Sequence, residues 1–433
     1  MYYFIGIKGS GMASLACILK DMKEEVAGSD IDKYIFIQKN LEEKQIPIYS
    51  FDKNNIKDGM NVIIGNAFDQ TNEEVAAAMT NPTVKTYTYP EFLGHLVATY
   101  HSICVCGTHG KTGTTGMLSH VLAYQKPTGY LIGDGTGYMP KDPHYFVLEA
   151  CEYQRHFLAY RPDYTLLLNI ELDHVDYYKD MNDYLDAFES FANQAKKGVA
   201  IFGDDDTTHQ IKIEVPHLFY GLNETNDVVA RNIIENEYGV SFDCYYHGEF
   251  FHHFDFPLFG QHLLWNALGV ITIGIMNGLC GDLLQESISS FEGVKRRFNI
   301  EENNGNIYID DYAHHPTAIK MTIQAARQKY PNRKLVAIFK PDRYSRIQYF
   351  LNGFKEAFKD ADQVFLCDFP DNAQREEGIT VTIDDLKKQV AGSEIIKEDE
   401  DAARYLAQFG PAVYLFMSSK DIYKLKNKLK NFQ

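Results

Sequence analysis

The sequence predicts an α/β protein made of three successive units of strands and helices. Three observations predict it. A short apolar strand at residues 2–7 (YYFIGI) leads through a glycine turn into apolar residues at helical spacing, Met12, Leu15, Ala16 and Leu19. The same order returns at residues 103–122, ICVCGTHGKTGTTGMLSHVL. From Ile307 onward, apolar strands alternate with helix-spaced segments to the end of the chain. A chain of 433 residues suggests about two to four domains. We place boundaries near residues 100 and 294, giving units 1–100, 101–294 and 295–433.

Composition narrows the class. With 42 Lys+Arg against 59 Asp+Glu, the net charge of −17 argues against nucleic acid or an anionic membrane as the main partner. Hydrophobic residues at 45% and charged residues at 23% suit a soluble enzyme. The longest apolar run, near Ala267–Ile275, is too short to span a bilayer. The N-terminus enters a strand with no signal peptide, so a cytoplasmic protein without membrane insertion is expected. The seven cysteines are scattered, and Cys104 and Cys106 have no second pair to complete a zinc pattern. Reduced core cysteines are expected.

In the first unit, Gly6, Gly9 and Gly11 form a permuted dinucleotide-type glycine loop, followed by a second strand, Val26–Asp30, that ends in an acid. That is the distance at which a Rossmann unit grips a ribose. The pattern predicts a phosphate-bearing nucleotide or nucleotide sugar, with Gly9, Ser10, Gly11, Met12 and Asp30 as candidate contacts. Asn61–Ile64 is a further strand, and Asn66 in the small-residue loop after it lies where parallel sheets bind ligands. Tyr89–Tyr100 reads as a helix leading toward the next unit.

The second unit opens on the Gly-Lys-Thr loop. Gly107, Thr108, His109, Gly110, Lys111, Thr112 and Gly113 are the residue types that hold nucleotide phosphates. Glycines let backbone N–H groups approach the anion, the helix start adds partial positive charge, Lys111 adds a full one, and the Thr112 hydroxyl suits Mg²⁺. The loop is about two residues shorter than the usual Walker A spacing. Tyr145–Ala150 is a strand ending in Glu149, with Glu152 just beyond, and Leu166–Asn169 is a strand leading to Asp173 and His174. Carboxylates and a histidine at strand ends beside a phosphate loop suit Mg²⁺. Residues 178–200 read as a helix, Gly203–Asp206 as a solvated acidic turn, and residues 211–256 as a β-ribbon in which His247, His252 and His253 are surface residues. A mostly apolar helix follows Phe259-Gly260-Gln261-His262 and carries Trp265 as a packing residue.

The third unit opens with FEGVKRRF, in which Lys295, Arg296 and Arg297 cluster in an acidic chain. An anionic substrate is one reason for such a cluster. Ile307–Asp311 is a strand followed by Tyr312-Ala313-His314-His315-Pro316. Pro316 suits the first turn of a helix, and Ile319, Thr322, Ile323 and Ala326 give that helix its inward face. Leu335–Phe339, Val364–Cys367 and Ala412–Phe416 are further strands. Lys340 and Asp342 are two apart, so an extended segment would bring their side chains out on one face as a pair.

These blocks, in this order, resemble the Mur ligase family over essentially the whole chain. GIKGSGM with the later GSD resembles its UDP-binding loop, GTHGKT its ATP loop, and EACEYQRHFLAYRPDY with NIELDH the stretch bearing a metal-binding acid and histidine. FGQHLLWN resembles the adenine-contacting motif, with Asn266 at the asparagine. GVKRRF and DDYAHHP resemble the opening of the C-terminal domain. The resemblance implies a Rossmann-like UDP-binding domain (1–100), a central P-loop ATPase-like mononucleotide-binding domain (101–294) and a C-terminal Rossmann-like ligase domain (295–433). It implies ATP-dependent joining of L-alanine to UDP-N-acetylmuramate through an acyl phosphate, in peptidoglycan precursor synthesis. Lys111 would hold the β/γ-phosphates, and Thr112, Glu149 and His174 would hold Mg²⁺, with Mn²⁺ as a substitute. Arg343 and Arg346 match basic positions at the reacting carboxylates. Arg297 is a candidate for the substrate anion, and His314 and His315 for the base that serves the amine. Partners would be small molecules only, on a monomer or homodimer.

The chain departs from the family pattern at three places. Lys340-Pro341-Asp342 stands for Gln-Pro-His, and Ser418-Ser419-Lys420-Asp421 stands for a Gly-Ala-Gly turn before an acid or amide. Tyr124–Thr128 lacks a His-Thr-Asp-Thr-like element. A sister ligase using another amino acid or a recycled peptide, and a catalytically weak nucleotide-sugar-binding paralogue, are the alternatives. A nicotinamide oxidoreductase is disfavoured by the second phosphate loop.

Overall fold

The computed structural model describes residues 1–35, 37–294, 296–370, 373 and 378–432; Lys295 of the basic cluster lies outside them. The chain gathers into two compact units, one of Met1–Glu171, Asn182–Val229 and Ala267–Phe291, the other of Leu172–Met181, Ala230–Asn266 and Glu292–Gln433.

The first unit holds two sheets. β1 (Tyr2–Ile5), α1 (Ser10–Asp21), β2 (Val26–Ser29), α2 (Gln38–Glu43), β3 (Ile48–Tyr49), β4 (Asn61–Ile64), α3 (Glu73–Thr80), β5 (Lys85–Thr88) and α4 (Tyr89–Thr99) come first. Their strands make a parallel sheet in the order β3-β2-β1-β4-β5. Chain order reverses on either side of β1, and such a switch point opens a ligand crevice at the carboxyl ends of the strands. Tyr3, Ile5, Ala27 and Val62 pack with Val75 and Ala78 of α3. Thr88 caps α4 in a reciprocal box with Glu91, and Pro90 occupies its first turn.

The second sheet uses β6 (His101–Cys106), α5 (Lys111–Gln125), β7 (Thr128–Ile132), β8 (Thr136–Tyr138), β9 (Tyr145–Glu149), β10 (Tyr164–Leu167), α6 (Met181–Ala192), β11 (Gly198–Phe202) and β12 (His217–Gly221). Its strands run β12-β11-β10-β6-β9-β7-β8, parallel except for the β7–β8 hairpin. Residues 103–106 of β6 and 145–148 of β9 are unbroken apolar runs because both faces are covered.

Two expectations are corrected here. The helix read over residues 178–200 is α6 alone, and Gly198–Phe202 is a strand paired at Val199↔His217. All five residues of β11 are buried, and a short fully buried run has no period that separates strand from helix. The acidic turn is not simply solvated. Asp204 accepts hydrogen bonds from the Leu222 N–H (2.5 Å), the Asn223 N–H (3.0 Å) and Asn226 Nδ2 (2.8 Å), tying the end of β11 to that of β12.

The chain passes into the second unit along β13 (Val228–Asn236). β14 (Gly239–Tyr246) and β15 (Glu249–Phe256) form an antiparallel hairpin whose buried residues include Val240, Phe242, Phe254 and Phe256. His253 pairs with Asp243 at 2.7 Å, in keeping with the ribbon reading. α7 (Gln261–Met276) and α8 (Gly281–Ser289) come next.

The last sheet belongs wholly to the second unit. It comprises β16 (Asn299–Asn303), β17 (Asn306–Asp311), α9 (Pro316–Lys329), β18 (Leu335–Phe339), α10 (Tyr344–Tyr349), α11 (Phe354–Ala357), β19 (Gln363–Cys367), α12 (Ile383–Gln389), β20 (Glu394–Ile396), α13 (Glu400–Leu406), β21 (Val413–Met417) and α14 (Tyr423–Lys430). The strand order is β16-β17-β21-β18-β19-β20, with only β16 antiparallel. Ile307, Ile309, Ala337, Phe339 and Leu415 pack with α9 on one face. Tyr308, Val336, Ile338, Tyr414 and Phe416 pack with α13 and α14 on the other. None of the seven cysteines is in a disulfide, and five are buried. Among the described residues no helix is long and apolar enough to cross a membrane.

Candidate functional site

Each of the three sheets brings sequence-predicted residues to the carboxyl ends of adjacent strands. In the first sheet these are the turn after β1, Asp30 after β2 and Asn66 after β4. Gly6 adopts φ +84°, and any side chain there would overlap the Phe68 ring. Ser10, Gly11 and Met12 form the first turn of α1 behind Gly9. Asp30 is committed to the turn, since its carboxylate accepts the Lys8 N–H at 2.7 Å and the Ile31 N–H at 2.8 Å. The Lys8 ammonium, 5% exposed, donates to the carbonyls of Ile31 (2.7 Å) and Lys33 (3.1 Å). The crevice thus has a helix start and a buried cation, a setting for an anion. Asn66 lies 3.1 Å from His156 Nε2.

In the second sheet the phosphate loop leaves β6, with Glu149 ending neighbouring β9 and Asn169 just past β10 on the other side. The loop is shaped from behind by Asn169. Its carbonyl accepts the Thr108 N–H (3.0 Å), its Oδ1 accepts the His109 N–H (2.8 Å), and its Nδ2 donates to the His109 carbonyl (3.0 Å). The His109 ring sits 2.7 Å from the Glu171 carboxylate. Gly107 and Gly110 have φ +138° and +85°, conformations that favour glycine. Gly110 is the N-cap of α5, followed by Lys111, buried Thr112 and Gly113, whose Cα faces open space.

The Lys111 ammonium is folded onto its own loop. It donates to the Gly107 carbonyl (2.5 Å) and the Thr108 carbonyl (3.2 Å) and pairs with Glu152 at 2.8 Å. Glu152 is 1% exposed. Burial alone would lower the Lys111 pKa, but Glu152, with Cys151 and Glu149, holds it above the ordinary lysine value, so the cation is fixed. Glu152 and Asn169 shape the loop in a way that sequence spacing did not reveal. The signal for Glu152 was its place three residues after Glu149. Glu149 accepts the Gly133 N–H at 2.9 Å through Oε2 and is half-buried.

The remaining candidates lie in the second unit. Asp311, Lys340 and Ser418 stand at the ends of β17, β18 and β21, three neighbouring strands. Asp311 accepts the N–H groups of Phe298 (2.8 Å) and Ala313 (2.7 Å). Arg297 lies over the Tyr312 ring at 4.8 Å, and Arg296 donates to the carbonyls of Ser418 (2.8 Å) and Lys420 (2.9 Å). The expected Lys340–Asp342 pair is corrected: Lys340 pairs with Glu398 at 2.5 Å. Asp342 instead reaches Arg346 one helical turn on, at 2.6 Å, and accepts from Ser419 Oγ at 2.9 Å.

Arg346, 6% exposed, also meets both oxygens of Asp173 at 3.3 Å. Burial opposes ionisation of Asp173, but Arg346 outweighs it and holds the carboxyl far below its ordinary range. Arg343 is the accessible arginine of the two and pairs with Asp176 at 3.3 Å. His174 adopts φ +51°, and its N–H donates to Asp173 Oδ1 at 2.8 Å. His314 Nδ1–H donates to the Tyr312 carbonyl at 2.8 Å. Burial first, and Arg346 second, push its pKa down to about 4, so it is neutral at pH 7 with its lone pair on Nε2. His315 caps α9, its Nδ1 accepting the Thr317 N–H at 3.3 Å. Asn266 is buried on α7.

Comparison with known proteins matches three successive stretches of the chain to models of one family. The Mur ligase family catalytic domain matches residues 1–101, the Mur ligase middle domain residues 105–274, and the Mur ligase glutamate ligase domain residues 296–420. Similar solved structures include the UDP-N-acetylmuramate-alanine ligase MurC of Thermotoga maritima, with TM-score 0.80 and 24% identity, covering 100% of this chain and 99% of that one. The murein peptide ligase Mpl of Psychrobacter arcticus 273-4 gives TM-score 0.74 at 23% identity, covering 100% and 98%. The MurF ligase of Thermotoga maritima, solved in complex with ADP, gives TM-score 0.66 at 16% identity, covering 88% and 96%. With family models following one another along nearly its whole length, the chain belongs to the Mur ligase family.

Proposed function

We propose that this ligase uses ATP to activate the carboxylate of UDP-N-acetylmuramate and joins it to L-alanine, as a step in building peptidoglycan precursors. The observation that carries the reading is the phosphate loop after β6, whose fixed cation Lys111 and neighbouring carboxylate Glu149 suit a nucleoside triphosphate. A carboxylate is a poor electrophile. Transfer of the γ-phosphoryl group to it forms a C–O–P bond and releases ADP. The amine then attacks the acyl carbon, the C–O bond to phosphate breaks, and amide and phosphate leave. Catalysis of this kind is mostly positioning and charge neutralisation.

Lys111 exchanges Glu152 and the loop carbonyls for the β/γ-phosphates. The UDP portion occupies the crevice after β1, lined by Gly9, Ser10, Gly11, Met12 and Asn66, with Asp30 and Lys8 shaping it. Arg343 meets the reacting carboxylate and Arg346 is the positioning residue behind it. Arg297 serves the substrate anion, His314 or His315 the amine, and Asn266 the adenine. Glu149 and the Thr112 hydroxyl, hard oxygen donors, are the groups that suit Mg²⁺, with His174 completing the set. Bound there, Mg²⁺ or Mn²⁺ would neutralise charge on the phosphates. The partition into 1–100, 101–294 and 295–433 is supported by one sheet in each stretch, and the nucleotide substrates suit a cytoplasmic enzyme.

The test is release of ADP and phosphate that depends jointly on UDP-N-acetylmuramate and L-alanine, with the product identified by mass. AMP and pyrophosphate, or no dependence on the sugar nucleotide, would overturn the reading. A second reading, ligation of another amino acid or a recycled peptide, is favoured by one observation: Asp342 and Ser419, both departures from the family pattern, bond to each other. Running the assay with each amino acid and with L-alanyl peptides separates the two.

A further inference from the structure

The two departures from the family pattern, 340–342 and 418–421, meet at the hydrogen bond from Ser419 Oγ to Asp342 Oδ2 (2.9 Å). Ser418 reinforces the junction, its Oγ donating to the Lys340 carbonyl (2.9 Å) and accepting the Lys420 N–H (2.9 Å). Asp342 is 8% exposed. Its Oδ2 takes Arg346 and Ser419, while its buried Oδ1 has no hydrogen-bond partner among the described residues. An ionised buried carboxylate oxygen without a donor is costly, so its persistence points to a donor that arrives with a ligand.

The charges around it say which kind. Asp342 and Asp173 share Arg346, and the His314 Nδ1–H is spent on the Tyr312 carbonyl. Lys340 and Arg343 are engaged elsewhere, by Glu398 and Asp176. The group left open on Asp342 itself is an acceptor, its buried Oδ1. A divalent cation is disfavoured, because Arg346 sits 2.6 Å from the same carboxylate and only one oxygen is left to coordinate. An ammonium group, compact and rich in donors, fits.

We propose that Asp342 recognises the amine of the incoming amino acid through Oδ1, and that Ser419 holds the carboxylate in the pose that does so. This deepens the ligase reading above and rests on it. Asp342 is then a specificity-determining residue for the acceptor, where a family member with histidine at this position presents no fixed charge.

The experiment compares L-alanine with hydroxylamine, a neutral nucleophile at about pH 7.5 that intercepts an acyl phosphate as the hydroxamate. Wild type, Asp342→Asn, Ser419→Ala and Ser419→Thr are assayed with ATP and UDP-N-acetylmuramate. In Asp342→Asn, kcat/KM for L-alanine should fall at least tenfold more than the rate of hydroxamate formation, through KM rather than kcat. Ser419→Ala should show a smaller loss of the same kind, and Ser419→Thr, which keeps the hydroxyl, should restore it. Equal losses with both nucleophiles, or an unchanged KM for L-alanine, would overturn the proposal while leaving the ligase reading intact. If Asp342→Asn does not fold, the serine pair decides alone. Wild type that forms neither amide nor hydroxamate would overturn both.

Discussion

Three partly buried ionisable side chains illustrate how single residues set the behaviour of this chain. Lys111 keeps its proton because Glu152 outweighs the cost of burial, so the loop always presents a cation. Lys111→Ala should lower turnover by about 10²-fold or more, by comparison with losing one transition-state donor. UDP-sugar binding, measured by calorimetry, should persist, since that crevice is built from other strands; unchanged turnover would remove the loop from the chemistry. His262 and His314 show the opposite balance. Burial depresses both from 6.5 to about 4. Between these values the unfolded chain binds protons that the folded chain does not, so stability present above pH 6.5 falls as the pH drops toward 4. The lowered carboxyls of Asp173 and Asp342 extend the loss below their ordinary 3.8. Thermal melts across this range should show the decline, and His262→Leu should flatten it between pH 6.5 and 4. A flat profile in the wild type would contradict the burial of these rings.

At the scale of elements, the β7–β8 hairpin is anchored within the first unit by close backbone contact. A methyl group on Gly137 would overlap the carbonyl of Ser14 in α1, and Asn40 Nδ2 donates to the Gly135 carbonyl at 2.7 Å. Gly137→Ala should therefore cost about 1–3 kcal/mol, the range for overpacking a filled site, read as a lower midpoint in urea. An unchanged midpoint would mean that the hairpin shifts freely. The hairpin was visible in the sequence only as the glycine-rich run LIGDGTG, because its anchor on α1 is far away in the chain. The three ligand-facing edges were more legible. Gly9–Met12, Gly107–Gly113, Glu149, Asp311–His315 and Lys340–Arg346 all lie at or just past the ends of strands whose apolar runs are plain. Parallel sheets put the loops at the carboxyl ends of their strands on the ligand edge. Reading 340–342 as extended pairs Asp342 with Lys340, whereas its partner Arg346 lies one helical turn on; spacing also missed the partnerships across strands, Asn169 behind the loop and Glu152 on Lys111. Local periodicity carries no information on such pairs. The start of β11 reads as a continuation of helix because a strand buried on both faces shows no alternation.

For the molecule as a whole, the residues proposed for one reaction are divided between two compact units. Lys111, Thr112 and Glu149 belong to the first; His174, Asn266, His314, Arg343 and Arg346 belong to the second. Phosphoryl transfer and amide formation need reacting atoms about 3–3.5 Å apart, with water excluded from the acyl phosphate. Residues that serve the same phosphate, carboxylate and amine must therefore converge on one set of substrates during turnover. Substrate binding energy is the available source for that convergence, since a ligand shifts a conformational equilibrium by its differential affinity for the two states. A non-hydrolysable ATP analogue and UDP-N-acetylmuramate together should thus lower the radius of gyration in small-angle scattering more than either ligand alone, because each alone contacts fewer of the divided residues. Asn266 on the second unit and Lys111 on the first are both proposed to hold the same nucleotide, so Lys111→Ala should weaken the response to the ATP analogue while leaving the response to the sugar nucleotide. Scattering curves that superimpose with and without both ligands at saturation would mean that turnover needs no closure, and that the divided residues meet their substrates without rearrangement.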